Sequence, residues 1–144
     1  MRNIFSVVSV LLLVACGQRE AASPAPSGPV AWQSNNQEAV SKAKAEKKIV
    51  MVDLYTDWCG WCKRLDRDVY ADSAVAAKLS SGFVSVKLNP EKSKEAAELA
   101  KKFGARGFPH IVFVDGTGNK VAEISGYLPA AQFLQRLDSL TPAK

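Results

Sequence analysis

Residues 57–62 read DWCGWC, after the apolar run IVMVDLY at 49–55 and before KRLDRDVY at 63–70. A short apolar run of this kind is typical of a strand covered on both faces. After the motif, Leu65 and Val69 have the spacing of residues that share one side of a helix. The two cysteines therefore lie where a strand gives way to a helix, and this junction decides how the rest of the chain is interpreted.

A C-x-x-C motif at such a junction has a defined chemistry. Its first sulfur meets the unpaired backbone N–H groups and the positive end of the helix dipole, which favour a thiolate. We therefore predict that Cys59 is the nucleophile. Cys62, one turn further on, is then the resolving thiol. The pair can reduce or oxidise a protein disulfide through a mixed-disulfide intermediate.

Two other interpretations of the motif remain open. A C-x-x-C pair is also half of a zinc site, for which His110 and Cys16 are the remaining candidate ligands. A static structural disulfide is the second alternative, although so short a loop stabilises little by chain closure.

Composition limits the class of protein. The chain has 144 residues, 47% hydrophobic and 23% charged, the profile of one globular domain that needs no staples. Its net charge of +5 comes from 19 basic and 14 acidic residues without a basic stripe. We therefore do not expect it to bind nucleic acid.

The first residues have the layout of a secretory signal, which we assign to residues 1–15. A positive start, Met1–Asn3, precedes the apolar run Ile4–Val14. The sequence LVACG at 13–17 resembles the lipobox of bacterial lipoproteins, in which Cys16 carries a lipid. An ordinary signal peptide with an incidental cysteine is the alternative.

Residues 16–31 are predicted to be a flexible, lipid-anchored linker, and residues 32–144 the folded domain. The linker is rich in Ala, Ser, Pro and Gly and lacks apolar residues that could pack. Several acyl chains would hold the protein on a membrane. By resemblance to Gram-negative lipoproteins, Gly17 favours the periplasmic side of the outer membrane over the inner membrane.

The rest of the chain alternates between helical and strand patterns. Helices are predicted from Ser34 or Asn35 to about Lys47, from about Gly60, over Ser73–Leu79, from an Asn89 cap with Pro90 in the first turn to Gly104, and from Pro129 to about Leu140. Strands are predicted at 49–55, 83–88, 111–114 and 120–124, the last two joined by DGTGN. This order implies an α/β fold, with a parallel pair of strands, an antiparallel hairpin and helices on both faces.

Three separated segments resemble the thioredoxin family: DLYTDWCGWCK at 53–63, KLN at 87–89 and ARGFP at 105–109. The resemblance covers about residues 49–140. It implies the thioredoxin fold, a central mixed β-sheet flanked by helices on both faces. The chemistry it implies is disulfide exchange through a redox-active Cys59–Cys62 pair.

The same resemblance gives Asp53 and Lys87 catalytic roles. Asp53 is expected to take the proton of Cys62, and Lys87 to be the positive partner that tunes it. A carboxylate inside an apolar strand is costly unless it is protonated, solvated or paired. The alternatives are an outward-facing Asp53 and a solvated edge Lys87.

The resemblance also implies a substrate surface formed by Trp58, Gly60, Trp61, Phe108 and Pro109. The family's proline at position 109 is cis. The Phe108 backbone would then pair with an extended client segment, and the two tryptophans would form an apolar collar. His110 is interpreted as a packing residue or as a contact of the thiolate.

We therefore predict a monomeric, membrane-anchored thiol:disulfide oxidoreductase without cofactor or metal, reducing rather than oxidising. Trp61 and His110 depart from thioredoxin, where proline and threonine are usual, and such positions affect the reduction potential. Partners would be periplasmic proteins with thiols or disulfides and a membrane electron donor. The alternative is a non-catalytic binding module or chaperone.

Overall fold

The computed structural model describes residues 30–33 and 35–141. The predicted signal peptide, the lipidation site Cys16 and all of the linker before Val30 lie outside the described residues. No helix in the described part of the chain has the length and apolar character needed to cross a membrane.

Residues 30–33 and 35–141 form five strands and five α-helices. The strands are β1 (Trp32–Gln33), β2 (Ile49–Leu54), β3 (Phe83–Leu88), β4 (His110–Val114) and β5 (Lys120–Ser125). The helices are α1 (Asn36–Glu46), α2 (Gly60–Leu65), α3 (Ser73–Gly82), α4 (Lys94–Lys102) and α5 (Ala130–Leu140). A π-helical turn, Asp66–Tyr70, continues α2.

The strands form one mixed sheet in the order β1-β3-β2-β4-β5. The first three in that order are parallel, and β4 runs antiparallel to both β2 and β5. The predicted parallel pair and the predicted hairpin are therefore confirmed. The two-residue strand β1 was not predicted from the sequence.

The alternation of side chains along the strands divides the core into two layers. Val50, Val52 and Leu54 of β2 pack with α1 and α4 on one face, which we call the apolar face. Met51 packs with α3, α5 and the π-helical turn on the opposite face, which we call the π-turn face. Helices thus cover both faces, as predicted. The packed part of the chain includes Val30.

Local signals explain where α1 and α3 begin. Asn35 caps α1, its side-chain oxygen accepting a hydrogen bond from the backbone N–H of Glu38 at 2.8 Å. Asp72 caps α3 through the N–H groups of Ala74 and Val75. Because of this cap, the Ser73 segment is a separate helix and does not continue the one after the motif.

The predicted Asn89 cap is wrong, because α4 begins at Lys94 and is capped by Ser93. Asn89 is buried and holds a turn before the helix. Its side-chain oxygen accepts from the N–H of Glu91, and its carbonyl accepts from the N–H groups of Lys92 and Ser93. The hydrogen bonds that a cap would give to a helix are used here within the turn.

Candidate active site

The C-x-x-C motif forms a disulfide at the start of α2. The Cys59 and Cys62 Cα atoms lie 5.3 Å apart, and both residues are buried. Cys59 is the N-cap residue, and its Sγ accepts the backbone N–H of Cys62 at 3.1 Å. A sulfur in this position receives the unpaired donors of the helix, which supports the predicted nucleophile.

The loop before β4 lies beside the motif. The Phe108–Pro109 peptide bond is cis, as the resemblance implied. The Phe108 ring contacts the Trp58 ring edge-on, with 6.3 Å between centroids. The Pro109 carbonyl accepts the Gly126 N–H at 2.9 Å. Among the described residues, none forms a backbone hydrogen bond with Phe108, so its N–H and carbonyl groups are available to a client strand.

Both tryptophans of the motif are exposed. Trp58 is 68% exposed and its indole N–H donates to Glu91, while Trp61 is 54% exposed. The Trp61 ring lies 5.4 Å from that of Tyr127, and the Arg64 guanidinium contacts both rings. Exposed aromatic groups around a buried disulfide form an apolar surface suited to a partner chain. Trp58 is therefore a surface residue and not a packing residue of the core.

Asp53 is fully buried on the π-turn face. The Tyr70 hydroxyl donates to its Oδ2 at 3.1 Å, and the Lys87 ammonium lies 3.6 Å from the same oxygen. Burial raises the pKa of Asp53 to about 6, against the opposing effects of the Lys87 charge and the Tyr70 hydrogen bond. The alternative of an outward-facing Asp53 is therefore wrong.

Lys87 is the cross-strand partner of Asp53 in the parallel β2–β3 pair. Its side chain is only 16% exposed, because β3 is an interior strand, so the alternative of a solvated edge lysine is wrong. The ammonium also forms an ion pair with Asp66. Lys87 thus bridges a buried carboxylate and a half-exposed one.

Asp66 and Tyr70 belong to this site and were missed in the sequence. Asp66 lies four residues after Cys62, a spacing that puts two side chains on one side of a helix. That signal could have identified Asp66. Tyr70 is a further four residues on, at the end of the π-helical turn, a feature often found at functional sites.

His110 is buried on the opposite face, next to the cis-proline. Its Nδ1 lies 3.2 Å from the Ser125 hydroxyl. Burial lowers its pKa, against the nearby Glu123 carboxylate. His110 lines a groove of about 500 Å³ together with Arg106, Phe108 and Ser125. Its side chain is packed and hydrogen-bonded, which favours the interpretation as a packing residue.

The described residues contain no group of three or more His, Cys, Asp or Glu side chains that could hold a metal ion.

Gly60, the first residue of α2, has no neighbouring atom within 4 Å of the position a Cβ would take. The backbone beside Cys59 is therefore open to a partner.

Comparison with known proteins gives a family and a group of relatives. A family model described as thioredoxin-like domain matches residues 36–141. The thiol:disulfide interchange protein DsbD of Yersinia pestis is 40% identical over 103 residues, which cover 70% of this chain and 17% of DsbD. DsbD of Vibrio vulnificus is 35% identical over 108 residues, which cover 73% of this chain and 18% of DsbD. The chain thus matches about a sixth of the length of these curated relatives.

Solved structures show the same fold. A thioredoxin from Thermus thermophilus superposes with a TM-score of 0.71 at 26% identity, covering 80% of this chain and 89% of that one. The C-terminal domain of DsbD from Neisseria meningitidis gives a TM-score of 0.59 at 23% identity, covering 72% and 90%. The second likeness shows the fold alone. The predicted architecture, a mixed sheet between two layers of helices, is confirmed.

Proposed function

This chain belongs to the thioredoxin-like domain family, and from that premise we propose that it reduces disulfides in extracytoplasmic proteins while anchored to a membrane. It is a thiol:disulfide oxidoreductase of the thioredoxin type. The observation that carries the proposal is the buried Cys59–Cys62 disulfide, whose first sulfur caps a helix beside a cis-proline loop. The direction of exchange, the clients and the anchor are the proposed parts.

The reaction begins with the reduced protein. The Cys59 thiolate attacks one sulfur of a client disulfide, so that a mixed disulfide forms and one client thiolate leaves. Asp53 accepts the proton of Cys62, and the Cys62 thiolate attacks the Cys59 sulfur. The Cys59–Cys62 bond forms, and the second client thiolate leaves and takes a proton from water. Two electrons pass from the protein to the client.

The raised pKa of Asp53 supports its proposed role as proton acceptor. A pKa of about 6 makes the carboxylate the major form at pH 7, yet leaves it basic enough to hold a proton briefly. Lys87 and Tyr70 contact the carboxylate and keep its pKa from rising further. A general base is most effective when its pKa lies near the working pH.

The surface around the disulfide supports binding of an extended client segment. The free backbone groups of Phe108 can add a strand to the loop, and the exposed rings of Trp58 and Trp61, each directly before a cysteine of the motif, offer apolar contact. Main-chain pairing is largely independent of side chains, so we propose that many unfolded or exposed segments are clients.

The reducing direction is tested by the reduction potential of the Cys59–Cys62 pair, measured by equilibration with glutathione. The likeness to a thioredoxin supports a value near that of reducing thioredoxins, about −270 mV. A value near that of strong protein oxidants, about −120 mV, would reverse the proposed direction. The equilibrium with glutathione is measured twice on the same purified protein, once starting from the reduced form and once from the oxidised form.

The location rests on the N-terminal sequence and the relatives. Similarity to DsbD-type interchange proteins supports an extracytoplasmic site of action. We propose that lipid on Cys16 holds the protein on the periplasmic side of the outer membrane and that a membrane thiol donor supplies electrons. Replacing Cys16 by Ser should release the protein from the membrane fraction. Unchanged fractionation of Cys16→Ser would contradict the anchor.

Insulin reduction with dithiothreitol tests catalysis. Cys59→Ser is expected to lower the rate to that of dithiothreitol alone, and Cys62→Ser to accumulate a mixed disulfide with the client. Cys16→Ser is the matched control, since it removes a sulfur outside the site and should keep the wild-type rate. Equal rates for wild type and Cys59→Ser would contradict the proposed catalytic activity.

The two exposed tryptophans favour a second function, a non-catalytic binding module or chaperone. The double variant Cys59→Ser, Cys62→Ser separates the two functions. A chaperone would suppress aggregation of an unfolded client equally well in wild type and double variant, whereas insulin reduction requires both sulfurs.

A further inference from the structure

Three aromatic rings surround the Lys87 ammonium. Its Nζ lies 5.0 Å from the ring centroid of Tyr55 and 5.4 Å from those of Trp32 and Tyr70. All three distances are within the range in which a cation is attracted to the face of a ring. Three separate parts of the chain supply the rings: strand β1, the residue directly after β2 and the π-helical turn. We call this group the lysine cage.

Trp32 is the member of the lysine cage that strand β1 contributes. Its ring packs edge-on against Tyr70 at 5.0 Å, and Tyr70 packs in turn against Phe133 at 5.8 Å. Tyr70, which is itself packed against the core, therefore fixes the position of the Trp32 ring. Trp32 also lines, with Tyr55, Asp66 and Lys87, a cleft of about 430 Å³ open to solvent. Removing the indole would widen the opening above the ammonium.

Two carboxylates compete for that ammonium. Lys87 pairs with Asp66, which is 48% exposed, and lies near Asp53, which is buried. A lysine on a long flexible stem gains solvation by moving outward with the exposed partner. The lysine cage opposes this movement because its rings attract the ammonium where it also reaches Asp53.

We propose that Trp32 is a positioning residue of the active site, which holds the Lys87 ammonium against Asp53 and so keeps Asp53 ionised when Cys62 must give up its proton. The effect on proton transfer from Cys62 rests on the proposed function, whereas the geometry of the lysine cage does not depend on it. It extends the site to the first strand, far from the motif in sequence.

The charges around Asp53 give the direction of the effect. Lys87 from β3 lowers the pKa of Asp53, as does the Tyr70 hydroxyl, whereas Asp66 from the π-helical turn raises it. Tyr55 and Trp32 face Lys87 and carry no charge at neutral pH. If Lys87 moves toward Asp66, Asp53 loses the favourable charge and is protonated at a higher pH.

Carboxyl-carbon NMR of the reduced full-length protein measures the pKa of Asp53 directly. Replacing Lys87 by Met should raise it by about 1–3 pH units, the usual effect of losing an adjacent opposite charge. Trp32→Leu should raise it in the same direction by about half a unit or more, and Trp32→Phe should restore the wild-type value. The pH midpoint of single-turnover client reduction should move with it.

Phe103→Leu is the matched control. Phe103 is a buried aromatic residue whose ring also contacts a lysine ammonium, Lys102 at 5.3 Å, but it packs on the apolar face. Its replacement should cost stability without moving the pKa of Asp53. The inference is overturned if folded Trp32→Leu keeps the wild-type pKa, or if Phe103→Leu shifts it equally.

A measurement on the wild type covers the case in which Trp32→Leu does not fold. Protons on Lys87 Cε should resonate upfield of their position in an unfolded chain, because ring currents of the lysine cage shield them. An unshifted resonance would overturn the inference. If the wild type reduced no disulfide while the Asp53 pKa still responded to Trp32→Leu, the proposed function would fail and the positioning role would stand.

Discussion

Asp53 and His110 are buried on opposite faces of the sheet, one register step apart. In the antiparallel β2–β4 pair, Asp53 lies opposite Ile111, and Leu54 lies opposite His110. Asp53 thus has an aliphatic cross-strand neighbour on the π-turn face, and His110 has one on the apolar face. Both titratable groups are buried, but the pKa of Asp53 is raised and the pKa of His110 is lowered.

Burial acts on both groups in the same sense, toward the neutral form. It raises the pKa of Asp53 and lowers the pKa of His110. The difference lies in the partners. Asp53 has the Lys87 ammonium, which supports its charge, whereas Glu123 and Lys120 act on His110 in opposite directions and the side chain bonded to it is the neutral hydroxyl of Ser125. The comparison teaches that a buried group becomes useful for proton transfer when a charge partner offsets part of its desolvation.

The two groups also affect stability with opposite dependence on pH. The pKa of Asp53 is raised on folding, so the folded state binds more protons between about pH 4 and 6, and stability falls as pH rises through that window. The pKa of His110 is lowered on folding, so the unfolded state binds more protons as pH falls through 6.5, and stability falls in that direction.

The largest expected effects come from truncating the aliphatic neighbour of each group. Ile111→Ala and Leu54→Ala should each cost about 2–5 kcal/mol of unfolding free energy, because both side chains are fully buried. Water admitted beside Asp53 relieves its charged form, so the Ile111→Ala loss should be smaller at pH 8 than at pH 4. The Leu54→Ala loss should instead be smaller at pH 5 than at pH 8.

Urea unfolding at these pH values measures both losses. Opposite trends would sharpen the contrast between the faces. If both variants lost the same free energy at every pH, the hydration of the buried group would not depend on its cross-strand neighbour, and the comparison would break.

Asp53→Asn should stabilise the folded protein at pH 8 and hardly change it at pH 4. A pKa raised from 3.8 to about 6 corresponds to at most about 3 kcal/mol of unfolding free energy at alkaline pH. The amide oxygen can still accept from Tyr70. Denaturant unfolding with a pH series checks the gain, and client reduction should slow in the same variant because the proton acceptor is lost.

Asp68→Asn is the control for that experiment. Asp68 is a carboxylate of the same π-helical turn, and hydrogen bonds from Arg67 and Arg64 lower its pKa. Its neutralisation should not stabilise the protein at pH 8. A gain at Asp68 equal to that at Asp53 would show that net charge, not burial, produces the effect.

His110→Gln should remove part of the stability loss on the acid side. The contribution of His110 to stability falls as the pH drops below about 6.5, because the unfolded state is protonated at His110 more readily than the folded state. Glutamine can still bond to the Ser125 hydroxyl and does not titrate. Thermal unfolding of both proteins at pH 5 and pH 8 measures this: relative to its own stability at pH 8, the variant should be more stable at pH 5 than the wild type is. If the change in stability between pH 8 and pH 5 is the same in both proteins, His110 does not contribute to it.

Ser125→Ala is expected to give the smallest effect. It removes one neutral hydrogen bond, to the Nδ1 of His110, and should cost about 0.5–1.5 kcal/mol of unfolding free energy. Thr117→Ala, which removes a hydroxyl from the exposed hairpin turn, provides the comparison. A loss larger at Ser125 than at Leu54 would mean that the bond to His110, not apolar packing, dominates on that face.

Local sequence patterns are enough to predict most of the elements and the motif. The strand patterns identified β2 to β5 within a residue at each end, and the last predicted helix, from Pro129 to about Leu140, matches α5. An aspartate within an apolar strand was enough to raise the question of burial. These features follow from side chains close together in the chain, whose spacing fixes which face they share.

The surroundings of Asp53 follow from the tertiary structure. Trp32, Asp66 and Lys87 are far apart in sequence and meet because β1 and β3 are neighbouring strands and the π-helical turn packs on the face of the sheet that holds their side chains. The Ser93 cap of α4 was also not predictable from local signals, because Asn89 makes the hydrogen bonds of a turn and its side chain donates to Asp57 in the motif loop. A residue's spacing reports the face it occupies, whereas its charge partners depend on contacts between distant segments.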